Sequence, residues 1–184
     1  EGGKKSSEYY YFRNHTNRNL RIQFSTGNST DPEGMLEDLL KYIHNEDIAS
    51  EDNYRIFLVL DTDLDKKRIS EIKRIEQKCI DNNIEIITSA PTFEIWYVMH
   101  YRSNRLKFQT SKEVKKELQS LNGTYTESMD MYKVIKEKTI NARETANDIE
   151  KKIINNNEDL LSSNPHTGIY KILDAIDEFN NLNN

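Results

Sequence analysis

Two aspartates one residue apart, Asp61 and Asp63, follow the most apolar run of the chain, Tyr54-Arg55-Ile56-Phe57-Leu58-Val59-Leu60. On an extended backbone the side-chain period is two, so the carboxylates of such a pair point to the same side. Two oxygen ligands at this spacing suit a hard cation such as Mg2+, which keeps several waters and binds substrate phosphates. Sites in open parallel sheets form outside the carboxyl ends of strands, where this pair falls. The plainer alternative is a solvated acidic loop leading into the next helix, with Asp65 the best candidate for that helix's N-cap.

Glu94, in Pro91-Thr92-Phe93-Glu94-Ile95-Trp96, is the next acid of interest. It either supplies favourable charge at a helix N-terminus or joins the acidic cluster from a neighbouring strand end. His100 lies on the aromatic face of the same helix, where a satisfied core histidine is the commoner outcome. Glu1 precedes Gly2-Gly3, a pattern that suits the end of a first strand ahead of it with the glycines forming the strand-to-helix turn. His15, His44 and His166 show no metal-ligand spacing. Lys66, Lys67 and Arg68 follow the acidic loop and either contact backbone phosphates or form a solvated helix face. No phosphate-binding Gly-Lys-Ser/Thr loop, dinucleotide fingerprint or nucleophile elbow occurs.

These residues need elements to position them. Leu20, Ile22 and Phe24 alternate with polar residues and predict a strand. Asp31-Pro32 starts a helix as N-cap and first helical residue, with Met35, Leu36, Leu39, Leu40 and Ile43 as its apolar face. Residues 54–60 read as a central parallel strand. Ile69, Ile72, Ile75 and Cys79 trace the next helix, and residues 84–88 the next strand. Strand, helix, strand, helix, strand implies parallel pairing with right-handed crossovers. Phe93 to Tyr101 is predicted as a helix, and beyond it the pattern is helical only.

The chain has 184 residues, enough for one domain or one domain with an appendage. Charged residues make up 31% against 35% hydrophobic, so much of the chain must be exposed helix or loop. The net charge of −5 argues against non-specific nucleic-acid binding by the whole surface. It leaves a nuclease open, because a metal offsets phosphate repulsion locally. The single cysteine, Cys79, rules out an internal disulfide and a multi-cysteine zinc site, reads as a buried thiol, and fits a reducing cytoplasm. No apolar run approaches the roughly 20 residues that span a membrane, so no membrane partner is expected.

Glu1-Gly2 with Glu8, Tyr11 and Phe12, then Val59-Leu60-Asp61-Thr62-Asp63, then Ser89, Pro91, Phe93-Glu94-Ile95-Trp96 and His100, together resemble the RloB-like family. The tail, with Asn164-Pro165, Thr167, Tyr170 and Leu173, resembles that family's C-terminal motif. The resemblance implies a Toprim-like α/β fold: a small parallel sheet flanked by helices over residues 1–105, with an all-helical C-terminal part over 106–184 packed on it. Toprim-like domains use a glutamate after the first strand and an Asp-x-Asp after a later one. Those positions fall on Glu1, Asp61 and Asp63, as ligands of Mg2+ (or Mn2+).

The family's association with bacterial restriction and abortive-infection loci implies a cytoplasmic nuclease or phosphodiesterase acting on nucleic acid in antiviral defence. Glu1 would be ligand or general base, and Glu94 and His100 would position substrate or ligands. The alternative is a non-catalytic Toprim-like sensor working with a neighbouring effector protein. Homo-oligomer formation stays open under both. A receiver-like domain phosphorylated on Asp61 or Asp63 is a further alternative, disfavoured because no suitable lysine ends a later strand.

Overall fold

The computed structural model describes residues 6–25, 27–48 and 53–182. Side chains alternate along two parallel strands and so divide the apolar residues between two cores. Strand β1 (Ile56–Asp61) pairs with β2 (Ile84–Ala90) from Ile56 opposite Ile84 to Asp61 opposite Ser89. Leu58, Leu60, Ile84 and Ile86 face one core, and Phe57, Val59 and Ile87 face the other.

Helices α2 (Pro32–Asn45) and α3 (Lys66–Asp81) cover the first face with Leu36, Ile72, Ile75 and Cys79. The start of α2 is set locally: the Asp31 side chain accepts from Gly34 N–H and Pro32 occupies the first turn. Cys79 is buried.

The second core is larger and draws on both halves of the chain. It joins α1 (Ser7–Phe12), α4 (Ile95–Met99), α5 (Ser111–Leu121), α6 (Tyr132–Ile135) and α7 (Thr139–Asn155). All five residues of α4 are buried, and Trp96 and Tyr97 are fully enclosed. Tyr11 of α1 packs edge-on or tilted against Phe12, Phe93, Trp96, Tyr97 and Tyr132, an arrangement that aromatic quadrupoles favour.

Three expectations change. Leu20, Ile22 and Phe24 do pack against the larger core, but their backbone belongs to no strand. The alternation registers burial of one side of an extended segment, without a ladder. The C-terminal part is not wholly helical: β3 (His166–Thr167) runs antiparallel to β2, with Ser89 opposite Thr167 and Ala90 opposite His166, before α8 (Ile169–Leu182). The Ser89 and Thr167 hydroxyls meet at 2.8 Å, so a two-residue strand is fixed by a side-chain bond as well as its ladder. Finally, the helix expected from Phe93 to Tyr101 is the shorter α4, flanked by turns. The sheet is therefore mixed, in the order β1-β2-β3. Among the described residues no helix is long and apolar enough to cross a membrane.

His100 and His166 are both buried, and burial pushes each imidazole's pKa down to about 4 from the ordinary 6.5. The native state holds them neutral while the unfolded chain takes up protons below about pH 6.5. Stability is therefore whole above that value and falls as pH drops toward 4. The expected slope is on the order of 1 kcal/mol per pH unit for each histidine. Urea unfolding of wild type and His100→Gln across pH 4–7 checks this; the variant's slope should be shallower, and equal slopes would contradict it.

Candidate functional site

Asp61 closes β1, and the chain stays paired for two residues more. Thr62 N–H donates to Ser89 O at 2.9 Å and Asp63 N–H to Pro91 O at 3.0 Å. Asp63 and Leu64 then adopt left-handed backbone, with φ of 50° and 56°. Asp is one of the few non-glycine residues enriched there. The extended geometry that would align the Asp63 carboxylate with that of Asp61 therefore stops at the strand end. Asp63 is exposed, and its Oδ1 accepts from Ser111 Oγ at the start of α5, at 3.0 Å. Asp65 is the N-cap of α3, accepting from Arg68 N–H at 2.8 Å.

The acid that joins Asp61 is Glu94. It is 5% exposed and stands before α4, but its side chain makes no cap hydrogen bond. It turns instead toward the end of β1. Thr92 Oγ1 lies 2.7 Å from Glu94 Oε2 and 2.9 Å from Asp61 Oδ2, so one hydroxyl touches both carboxylates. Glu94 Oε1 accepts from Ser7 Oγ of α1 at 2.9 Å and from Tyr125 OH at 3.2 Å. Lys115 Nζ of α5 stands 4.0 Å from the same oxygen and 2.8 Å from Glu127 Oε1.

The electrostatics follow from this placement. Burial first, then the Glu94 charge, pushes the Tyr125 and Tyr97 phenols well above their ordinary pKa, so both stay protonated as donors. Tyr97 OH donates to Ser7 O at 2.9 Å, which fixes the turn that presents Ser7 Oγ. Burial and the Glu94 charge also raise the pKa of Glu8, beside Ser7. For Lys115, burial works against the ammonium, but Glu127, Glu94 and Asp61 outweigh it and raise the pKa.

The other expected residues fall elsewhere. His100 belongs to the core: Nδ1 lies 2.8 Å from Trp96 O, and Nε2 lies 3.4 Å from Thr139 Oγ1. Both ring nitrogens are engaged away from the carboxylates. Glu1, with Gly2 and Gly3, lies outside the described residues. Arg68, from the basic triplet, donates to Asp61 O at 3.2 Å and to Thr30 O, which ties it to backbone carbonyls. Lys66 and Lys67 are exposed. A cleft of about 560 Å3, lined among others by Lys73, Asp159, His166 and Lys171, contains none of the acids at the strand end.

Whether a divalent cation suits the strand end turns on donors and charge. A hydroxyl has one proton, so Thr92 cannot donate fully to two carboxylates at once. The fold also brings an ammonium, Lys115, to the pair, a positive charge standing where a cation would be favoured. Among the described residues no group of three or more His, Cys, Asp or Glu side chains is set to hold a metal. Mg2+ is commonly held by one or two carboxylates with waters and substrate phosphates filling the rest, so the oxygen donors of Asp61 and Glu94 fit it.

Thr92, Ser7, Tyr125 and Lys115 were not found from the sequence. The Thr92-x-Glu94 spacing is a local signal for one of them; the others come from distant segments and carry none.

Fold and site define an α/β protein with an acidic pair at the carboxyl end of β1, which the sequence predicts as central but which pairs with β2 alone among the described residues. The chain belongs to the RloB-like protein family, whose model matches residues 1–176. Comparison with curated proteins and with solved structures returns no match.

Replacing Thr92 with valine keeps the shape but removes the donor between two carboxylates. The expected loss is about 1–3 kcal/mol of stability, with Thr92→Ser retaining most of it. Chemical denaturation of both variants checks this, and equal stability of Thr92→Val and wild type would contradict the role given to the hydroxyl.

Proposed function

We propose that this chain is a Toprim-like, Mg2+-dependent phosphodiesterase that cleaves nucleic acid in bacterial antiviral defence. The observation that supports it best is the single Thr92 hydroxyl shared by Asp61 and Glu94 at the end of β1. In this reading Asp61 and Glu94 hold the Mg2+ (or Mn2+), with Glu1 of the family motif as a further ligand or general base. A bound divalent ion supplies Lewis-acid stabilisation of charge developing on phosphate and lowers the pKa of a bound water.

The chain's own residues do the rest. Ser7, Thr92 and Tyr125 fix the Glu94 carboxylate in one orientation. Asp63 fastens α5 over the site through Ser111. Lys66 and Lys67, exposed at the start of α3, and Lys112 and Lys116 on α5 are available to backbone phosphates. These lysines offer local positive charge on a chain that is negative overall. His100 has no part in this chemistry. The cytoplasm, which the single buried thiol suits, is the proposed location.

A second reading keeps the fold and drops the chemistry: a sensor or interaction module paired with an effector, or acting as a homo-oligomer. The Lys115 ammonium beside Glu94, which places a positive charge at the pair from the protein itself, favours it.

Incubation with DNA and RNA in Mg2+ or Mn2+ separates the two. The nuclease reading expects cleavage that falls by on the order of 100-fold or more in Asp61→Ala and Glu94→Gln, with circular dichroism unchanged. No cleavage of any nucleic acid by folded wild-type protein would support the module instead.

A further inference from the structure

Helix α5 lies along the acidic strand end through two residues one helical turn apart. Ser111 Oγ donates to Asp63 Oδ1 at 3.0 Å, and Lys115 Nζ stands 4.0 Å from Glu94 Oε1. Residues four apart share one helix face, so both contacts follow from a single orientation of α5. That orientation is fixed by Val114 and Leu118, both fully buried. The Lys115 side chain itself is freer, being 33% exposed. Its closer partner is Glu127 at 2.8 Å, and Glu127 is 66% exposed.

The ammonium thus stands between two carboxylates. It is hydrogen-bonded to the solvent-facing one, Glu127. On its other side, at 4.0 Å, is the buried Glu94, whose second oxygen is linked through Thr92 to Asp61. Lysine's flexible stem and point charge allow it to draw back from Glu94 without disturbing the helix that carries it.

We propose that Lys115, held by Glu127, is also the counter-ion of the acidic pair and withdraws from Glu94 while keeping Glu127 when a divalent cation binds, so that Lys115 sets the metal affinity of the site. The inference rests on the metal reading given above and adds a regulator to it. While Lys115 faces Glu94, two carboxylates brought together by one hydroxyl are partly neutralised without metal. An incoming divalent cation replaces a single charge by a double one, and the released ammonium keeps a carboxylate partner in Glu127. Free-metal concentration then decides which cation occupies the site.

Calorimetric titration with Mn2+ alone, on the full chain without nucleic acid, tests this. Lys115→Met removes the competitor and should tighten Mn2+ binding by about tenfold or more, the scale on which an opposite charge within 4–6 Å biases a carboxylate. Lys115→Arg keeps the charge and should stay closer to wild type than Lys115→Met does. Glu127→Gln removes the carboxylate that holds the ammonium back from Glu94 and should weaken binding. Circular dichroism of each variant confirms that the fold is intact. Saturable binding by wild type with an unchanged or weaker affinity in Lys115→Met overturns the counter-ion role and leaves the metal reading standing. No Mn2+ binding by either protein overturns both.

Discussion

A carboxylate buried at Glu94 constrains much of the remaining structure. Removing an ionised carboxyl from water is tolerable only when its oxygens are hydrogen-bonded or paired. Glu94 meets that requirement with groups from four segments: Ser7 of α1, Thr92 of the turn after β2, Tyr125 beyond α5, and Lys115 of α5. Ser7 and Glu94 are 87 positions apart in the chain. The interaction therefore closes the N-terminal helix, the strand end and the C-terminal helices onto one point. The surrounding aromatic cluster, with Tyr11, Phe93 and Tyr97 in mutual contact, supplies the dry walls. The same dryness keeps the Tyr97 and Tyr125 phenols protonated as donors.

The parallel pairing of β1 and β2 decides which acid meets Glu94. Asp61 sits opposite Ser89, and the ladder continues through Thr62 to Ser89 and Asp63 to Pro91. This holds the β1 end against the turn carrying Thr92. Asp61 is the last residue in strand geometry and reaches Thr92. Asp63 has entered the left-handed region and is held by α5 instead. Two acids that look equivalent in an Asp-x-Asp motif are thus assigned different neighbours by a few degrees of freedom in one turn.

How far the sequence disclosed this depends on how local each determinant is. The caps at Asp31 and Asp65 were readable because a cap is decided within three residues. Strand β1 was readable because packing on both faces leaves a continuous apolar run from Ile56 to Leu60, and β2 because Ile84, Ile86 and Ile87 are β-branched, despite the exposed Glu85. Leu20, Ile22 and Phe24 misled because alternation reports burial and says nothing about whether a neighbouring strand exists. Strand β3 has two residues and so no period to detect; Ser89 and Thr167 are 78 positions apart. In the site, Asp61 and Glu94 were visible as acids near strand ends. Their donors were not, because a serine, a threonine and a tyrosine carry no pattern until the chain has brought them together. His100 went to the core because its Nδ1 finds the Trp96 carbonyl one turn back on its own chain.

The central proposal is that Asp61 and Glu94 form a cation site around Thr92. Crystals of the wild-type chain grown or soaked in Mn2+, with data collected to locate anomalous scattering, test it most directly. The account requires an anomalous peak within coordination distance of both the Asp61 and Glu94 carboxylates, with Lys115 farther from Glu94 than the present 4.0 Å. A Mn2+ peak elsewhere with this pair still bridged only by Thr92, or no peak at saturating Mn2+, would contradict it.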